Sequence, residues 1–149
     1  NSVFIDSIDD YMDDIKVTLK DYINCDNCIS TQNVTNHMFP NGFYNFDGMY
    51  DIMNIIRKSI ERIDVFGGFE IYHSLGGGTG SGITSLLTDK IRQFCVDSVN
   101  CYTVFGSNKN SHIDWGMYNH MCGLHYLIEN SDGVYILDND KIYDIASAK

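Results

Sequence analysis

The chain has 149 residues, 44% of them hydrophobic, which is enough for one ordinary domain with a substantial core. Ten Lys and Arg residues against 20 Asp and Glu residues give a formal net charge of −10. This acidic balance argues against a nucleic-acid-binding protein, which needs a basic surface to neutralise phosphates. No apolar run approaches the length of a membrane span, so we expect no membrane partner. A nucleotide ligand stays compatible, because a few backbone N–H groups at a helix terminus can hold a phosphate.

The five cysteines favour reduced thiols in a cytoplasmic protein, since their number is odd and no signal peptide is recognisable. Cys25 and Cys28 form a single C-x-x-C pair. A zinc site would need a second pair at matching spacing. We therefore interpret this pair as structural, rather than as a metal or redox site.

The first third of the chain predicts a strand, a helix and a long loop. Residues 3–5 are the strand, and residues 9–19 are the helix, with Met12, Ile15 and Leu19 spaced to share one face. Residues 24–44 are rich in Asn and Thr and contain the single proline, which predicts a loop. Long loops of this kind often carry function.

Residues 47–63 give the clearest helical pattern in the sequence. Asp47 is placed to act as the N-cap, because its side chain can accept a hydrogen bond from the first turn. The predicted apolar stripe consists of Met49, Ile52, Met53, Ile56, Ile60 and Ile63.

Strand-like and helix-like segments continue to alternate after this helix, which is typical of a parallel sheet with crossover helices. The predicted order is strand 69–72, a glycine loop, helix 83–94, strand 101–105, polar loop 106–115, helix 117–129, strand 134–137 and helix 138–145. The side chains expected to face inward from the helix at 83–94 are Ile83, Leu86, Leu87, Ile91 and Phe94. Since the chain opens in a strand and stops just inside a helix, we expect residues 1–149 to be part of a larger domain, truncated at both ends.

The loop between the strand at 69–72 and the following helix carries the clearest chemistry. It reads Gly76-Gly77-Gly78-Thr79-Gly80-Ser81-Gly82. Glycine lets the backbone approach a ligand closely, and the hydroxyls of Thr79 and Ser81 can bond to phosphate oxygens. The following helix directs its unpaired N–H groups and partial positive charge to the same place. These features together predict a phosphate site.

Two common nucleotide motifs do not fit this loop. A P-loop requires a Lys after the glycines, and none is present. The dinucleotide pattern G-x-G-x-x-G fails from Gly76, where the last position is Ser81, and from Gly78, where it is Ile83. A plain glycine-rich turn is disfavoured by the interleaved Thr and Ser and by the position between a strand and a helix.

The loop and its flanks resemble the signature of the tubulin family. His73-Ser74-Leu75 precedes the glycines as it does in that signature, whereas the bacterial FtsZ relatives usually carry Thr where Ser81 stands. Leu75, residues 90–92 and residues 128–130 favour the beta-tubulin type. The resemblance covers nearly the whole chain, and its other matching segments are residues 3–6, 117–119, 129–132 and 137–145.

This resemblance implies a Rossmann-like α/β fold with a parallel sheet, helices on both faces, and GTP or GDP as the ligand. Asn139 is implied to bond the guanine, because its amide offers both a donor and an acceptor. Asn36 lies where the family has a phosphate-loop Asn, and His37 is the alternative because the match requires a one-residue insertion before Gly42. The implied phosphate-binding residues are Ser74, Gly76, Gly77, Gly78, Thr79 and Gly80.

The sequence departs from the family at the metal and ribose positions. Ile8 stands where the family has the Glu that helps to hold Mg²⁺ through water, with Asp6 or Asp9 as candidate substitutes. Gly116 stands where the family has a ribose-contacting acid, and Asp114 lies two residues before it. We therefore assign no metal ligand, although Mg²⁺ is compatible with the family.

The expected function is that of a GTP-binding cytoskeletal protein, a tubulin-like subunit of microtubules or of a related filament in the cytoplasm. Its partners would be other tubulin subunits, in a heterodimer or filament. In the family, the acid that activates the hydrolytic water comes from the neighbouring subunit, so we assign no catalytic residue here. The alternative is a structural or regulatory pseudo-tubulin with weakened nucleotide binding or no turnover. Ile8 and Gly116, which replace the metal and ribose residues of the family, favour this alternative. A different nucleotide binder, one that prefers ATP, is a weaker alternative.

Overall fold

A computed structural model of the chain describes residues 2–7, 9–30, 35–94, 97–106 and 115–148. The strands are β1 (Phe4–Asp6), β2 (Cys28–Ser30), β3 (Phe69–Ser74), β4 (Val99–Phe105) and β5 (Gly133–Asp138). The α-helices are α1 (Asp9–Thr18), α2 (Phe39–Tyr44), α3 (Met49–Ile60), α4 (Thr84–Phe94), α5 (Gly116–Asn130) and α6 (Asn139–Ser147). A short 3-10 helix (Cys25–Asn27) precedes β2, and a π-helical turn (Thr79–Ile83) precedes α4. In the part of the chain covered by these ranges, no helix is long and apolar enough to cross a bilayer.

The chain divides into two compact units, and the first comprises Asn1–Val34 and Asn45–Phe66. In this unit β1 and β2 pair in parallel, with Ile5 opposite Ile29, and α1 contacts both strands. Met12 of α1 is buried, and so are Ile52 and Ile56 of α3. The spacing of four residues puts Ile52 and Ile56 on one face of α3.

The second unit, Thr35–Tyr44 with Gly67–Lys149, contains a parallel sheet in the order β3-β4-β5. Successive side chains of a strand point to opposite faces, and the two faces of this sheet differ. One face carries the buried residues Val99, Cys101 and Thr103 and contacts α5, which in turn packs on α4. Both strand pairs are parallel, and α4 and α5 form the crossovers that parallel strands need. The predicted parallel α/β fold is therefore confirmed.

The other face of the sheet carries a ladder of three stacked tyrosines. The strand register places Tyr72, Tyr102 and Tyr135 side by side. The ring centroids are 4.7 Å apart between Tyr72 and Tyr102 and 4.9 Å apart between Tyr102 and Tyr135. Cross-strand aromatic pairs of this kind stabilise the register of the strands.

Asp132, the residue directly before β5, connects the ends of α4 and β4. Its carboxylate accepts a hydrogen bond from Val99 N at 2.8 Å and pairs with the Arg92 guanidinium at 2.7 Å. These two contacts lower the pKa of Asp132, the bond from Val99 N being the larger cause. The carboxylate thereby holds the end of α4 next to the first residue of β4.

The prediction of one continuous loop over residues 24–44 is wrong. This segment contains the 3-10 helix, β2 and α2. β2 has three residues, which is too short to produce a recognisable alternation. Pro40 and Gly42 indicated a loop, yet both lie in α2, where a proline in the first turn loses no helical hydrogen bond.

The predicted N-cap at Asp47 is also wrong. Helix α3 begins two residues later, its N-cap is Gly48, and no side chain caps it. Only the middle of the predicted apolar stripe is buried, because the helix ends at Ile60 and Ile63 lies beyond it, 39% exposed. Phe94, predicted to face inward, is 43% exposed at the last residue of α4.

We predict that Leu127→Ala destabilises the chain strongly while its neighbour Ile128→Ala does not. Leu127 is fully buried in α5, so truncation leaves a cavity and should cost about 3 kcal/mol. Ile128 is 66% exposed in the same helix, so the matched change should cost well under about 1 kcal/mol. Urea unfolding followed by circular dichroism measures both, and equal losses would contradict the described packing of α5.

Candidate functional site

The glycine loop leaves the carboxyl end of β3, at the edge of the parallel sheet where α/β proteins commonly bind ligands. Leu75 N continues the ladder to Val104 O at 3.1 Å, and the Leu75 side chain is fully buried. Gly76 N then donates to Ser74 Oγ at 3.3 Å, which closes a tight turn at the end of the strand. Ser74 itself stays exposed at this edge.

The helix begins directly in the loop, with a π-helical first turn. Gly77 O accepts hydrogen bonds from Ser81 N at 3.0 Å and from Ser81 Oγ at 2.6 Å. Ser81 is fully buried, so its hydroxyl serves the helix, and the expectation that it bonds a phosphate is wrong. π-helical turns are rare and occur frequently at functional sites.

The glycines of the loop fall into two groups, and those of the first group are required for close packing. A Cβ on Gly78 would lie 2.5 Å from Met38 O, and one on Gly82 would lie 2.8 Å from Gly42 Cα. A Cβ on Gly80 would overlap the carbonyl oxygen at the end of β3. Because Gly78 and Gly82 are four residues apart, they share the face on which α2 packs.

Gly76 and Gly77 form the second group, which borders open space. At Gly77, no described atom beyond its chain neighbours lies within 4 Å of the Cβ position. At Gly76, the nearest such atom is Ser74 Oγ at 3.9 Å. This space adjoins the first turn of a helix, where the helix dipole gives a partial positive charge. It therefore has both the room and the polarity for a phosphate group.

A tight turn at Thr35–Met38 packs against the loop, with Met38 N donating to Thr35 O at 3.0 Å. Its central residues, Asn36 and His37, have φ values of 48° and 58°. Such backbone angles are unusual for residues other than glycine, although Asn and His adopt them more often than most, and strained positions cluster at functional sites. Both side chains are exposed. Asn36, the predicted phosphate-loop residue, and His37, its alternative, therefore lie side by side on this turn.

Asn119 of α5 binds the turn and the loop together. Its Oδ1 accepts from Phe39 N at 2.8 Å. Its Nδ2 donates to His37 O at 2.7 Å and to Gly76 O at 2.9 Å. Asn119 is 1% exposed, so all three bonds are made in the interior. One amide thus sets the positions of both backbone segments that border the open space.

His73 supports the loop from the opposite side. Its Nδ1 lies 2.8 Å from Gly80 O, and its Nε2 lies 2.9 Å from Thr103 Oγ1. A carbonyl oxygen can only accept, so Nδ1 carries the proton and Nε2 accepts from the Thr103 hydroxyl. Burial lowers the pKa of His73, although the bonds to Gly80 and Ser74 oppose this. His73 is therefore bonded both to the loop and to β4.

Asn139 lies at the same edge of the sheet, as the first residue of α6. Asp138 caps this helix, its Oδ1 accepting from Asp140 N at 2.9 Å. The register places Ser74 beside Val104 and Asp138 beside Phe105. Two strand spacings therefore separate the glycine loop from Asn139, about 10 Å. The half-buried Asn139 thus lies at the same edge of the sheet as the glycine loop, two strands away.

The candidate metal and ribose residues have no described contact with this loop. Ile8 and Asp114 lie outside the described residues, Asp6 and Asp9 belong to the first unit, and Gly116 is buried at the start of α5. Among the residues that are described, no cluster of three or more His, Cys, Asp or Glu side chains could hold a metal ion.

Sequence reasoning missed the positioning residues of the site. Asn119 was noted only as part of a resemblance, and Thr103 and Gly42 received no role. An Asn within an otherwise helical segment is a usable signal, because Asn is a poor helix former. Its presence there indicates that its side chain makes a specific hydrogen bond. Thr103 and Gly42 act through residues distant in sequence, and no local pattern indicates that.

Comparison with known proteins agrees with this geometry. The family model described as "Tubulin/FtsZ family, GTPase domain" matches residues 1–147. The chain belongs to the Tubulin/FtsZ family. The resemblance to the tubulin family is therefore confirmed over nearly the whole chain.

The similar curated proteins are beta tubulins, which bears out the predicted beta type. Tubulin beta-2 chain of Geotrichum candidum is 41% identical over 123 residues, covering 80% of this chain and 27% of that protein. Tubulin beta-1 chain of Mus musculus is 43% identical over 96 residues, covering 64% and 21%. The nucleomorph tubulin beta chain of Guillardia theta is 47% identical over 94 residues, covering 62% and 21%. The matched region spans about a quarter of the length of these relatives.

We predict that Asn119→Ala lowers the free energy of unfolding by about 3 kcal/mol, because it leaves two carbonyls and one N–H buried without partners. Asn119→Asp should cost at least as much, since a carboxylate has no donor for His37 O and Gly76 O. Tyr118→Ala is the control, because Tyr118 is 60% exposed in the same turn of α5. Urea melts measure all three, and a neutral Asn119→Ala would contradict the described bonds.

We predict that the stability of the chain falls as the pH drops below about 6.5, the ordinary pKa of His. The folded-state pKa of His73 is lowered, so the unfolded state binds the proton more readily. Its contribution is fully present above the unfolded pKa and is lost as the pH falls below it.

Urea melts between pH 5 and pH 8 test this prediction. Burial also lowers the pKa of His120, so each histidine is replaced separately by Gln. His73→Gln should flatten the profile, and His120→Gln should retain the share that belongs to His73. An unchanged profile in His73→Gln would refute the assignment.

Proposed function

We propose that this chain forms the phosphate- and guanine-binding part of a tubulin-type GTP-binding protein that assembles into filaments. The observation that carries the proposal is the open space beside Gly76 and Gly77, at the start of a helix. Membership of a family whose model is described as a GTPase domain supports it.

The phosphates would lie against the loop, with Ser74, Gly76 and Gly77 on the strand side and Gly78, Thr79 and Gly80 in the first turn of the helix. Helix N-termini bind anions because their N–H groups and the helix dipole favour negative charge. Asn36 would contact the phosphates from the neighbouring turn, whose backbone packs on Gly78.

The guanine would lie near Asn139, two strands away along the same edge. An extended nucleotide fits this separation, since the phosphates and the base occupy its two ends. The amide of Asn139 can donate to one atom of guanine and accept from another, whereas adenine presents its polar groups in the reverse order. Asp138, by capping α6, holds the residue that follows it in place.

We further propose that residues 1–149 are part of a larger tubulin-like domain, that the protein belongs to the cytoskeleton of the cytoplasm, and that its partners are other tubulin subunits. Hydrolysis of GTP would be completed by the neighbouring subunit. The alternative is a pseudo-tubulin that assembles without turnover, favoured by Ile8 and Gly116 at the metal and ribose positions. Phosphate release from assembled protein separates the two, since GTP-dependent release would rule out the alternative.

Gly77→Asp should weaken GTP binding at least about tenfold without lowering the melting temperature. The new side chain enters open space, so folding tolerates it, but its negative charge repels the phosphates. Gly67→Asp is the matched control, since its Cβ also meets no described atom within 4 Å and it lies before β3, away from the loop.

Calorimetric titration with GTP, on the longest form of the protein that carries this chain, measures the effect. If both Asp variants bind GTP like the parent, the loop does not hold the phosphates.

Asn139→Ala should reduce the preference for GTP over ATP, because the base loses its matched donor and acceptor, while affinity for the triphosphate group persists. Competition between labelled GTP and unlabelled ATP measures the preference. An unchanged ratio would remove Asn139 from the base site without affecting the phosphate proposal.

A further inference from the structure

The C-x-x-C pair lies on a turn that brings its two cysteines together. Residues Cys25–Asn27 form a 3-10 helix, and Cys28 N donates to Cys25 O. In a 3-10 helix, side chains three residues apart eclipse one another, because the helix repeats every 3.0 residues. Asn24 fixes the start of the turn, its side chain accepting from Asp26 N at 3.0 Å.

The turn also has the dimensions that a disulfide needs. A turn closed by a bond between residues i and i+3 holds the first and fourth Cα atoms within about 7 Å. Disulfides span Cα separations of about 4.4–6.8 Å, and their dihedral angle can have either handedness. No disulfide joins the two sulfur atoms in the structure.

The two thiols differ in environment, which suits an attacking and a resolving cysteine. Cys25 is exposed, whereas Cys28 is half-buried at the first residue of β2. Burial raises the pKa of Cys28, and the nearby Cys25 raises it further, while the Lys16 ammonium opposes both. The accessible thiol can therefore react first with a soluble oxidant, and the sheltered thiol can follow.

The other described cysteines lack this arrangement. Cys101 is buried in β4, and its sulfur lies 3.1 Å from Ser131 Oγ. Cys122 is half-buried in α5. Reduced cytoplasmic proteins do form transient disulfides, and these are commonly redox-sensing ones.

We propose that Cys25 and Cys28 form a reversible redox pair that a peroxide oxidises to an intramolecular disulfide. The Cys25 thiolate attacks one peroxide oxygen, the O–O bond breaks, hydroxide leaves and a sulfenic acid forms. The Cys28 thiolate then attacks that sulfur, the S–O bond breaks and a second hydroxide leaves. The two thiol protons convert the hydroxides to water, so two thiols are oxidised and one peroxide is reduced to two waters. A dithiol reductant restores the pair by exchange.

This assignment replaces the interpretation of the pair as merely structural. It also links the redox state to the first unit of the fold, because Cys28 is the residue of β2 that pairs with Phe4 of β1. The proposal does not depend on nucleotide binding, since it concerns residues of the other unit.

The test is oxidation of the longest form of the protein that carries this chain with hydrogen peroxide, followed by alkylation and peptide mapping by mass spectrometry. We expect one peptide containing Cys25 and Cys28, unalkylated and lighter by two hydrogen atoms, and restored to two alkylated thiols by prior treatment with dithiothreitol. Separate sulfinic acids on the two residues, or bonds from either to another cysteine, would overturn the proposal.

A second measurement tests whether the turn prepares the pair. In a glutathione buffer, the disulfide should be about tenfold more stable in the native chain than in urea, equivalent to about 30 mV. Asn24→Ala, which removes the cap of the turn, should lower the native value toward the urea value. Cys122→Ser should leave it unchanged. Equal stability in native buffer and urea would show that the turn contributes nothing and would refute the inference.

Discussion

The site depends on the three hydrogen bonds of the Asn119 amide. They join α5 to a turn some 80 residues earlier and to the glycine loop some 40 residues earlier in the chain. Each bond satisfies a backbone group that the packing has removed from water, and an unsatisfied group there would cost about 1–3 kcal/mol. An amide alone can do this, because it presents one acceptor and two donors in one plane. Removing it would release both segments that border the open space.

Close backbone packing is the second constraint, and it explains why the loop contains more glycine than ligand contact requires. Gly78 and Gly82 allow α2 to approach, and Gly80 allows the first turn of the helix to pass over the end of β3. Gly76 and Gly77 have the opposite surroundings, with room for a ligand. One run of glycines therefore serves two purposes, packing on one side and access on the other. His73 connects the loop to the sheet, because its ring bonds to Gly80 O through Nδ1 and to Thr103 of β4 through Nε2.

Much of the fold could be predicted because hydrophobic periodicity is a local property. The alternation of strands and helices, the parallel sheet and the helix that starts in the loop all follow from spacing and glycine placement. β2 and α2 could not be predicted, since a three-residue strand has no period and a helix containing Pro40 and Gly42 resembles a loop. Asp47 failed as a cap for a similar reason: several residues near a helix start can cap it, and tertiary packing selects where the helix begins.

The sequence alone determined the family, the fold class and the identity of the glycine loop, because each rests on residue types at fixed spacings. The tertiary structure decided which loop atoms are available. It turned the Ser81 hydroxyl inward to Gly77 O, left Gly76 and Gly77 open, and brought the Asn36–His37 turn against Gly78. It also gave Asn119 its role, by placing one amide among three distant backbone groups. These outcomes depend on contacts between residues far apart in the chain, where a sequence pattern carries no information about direction or burial.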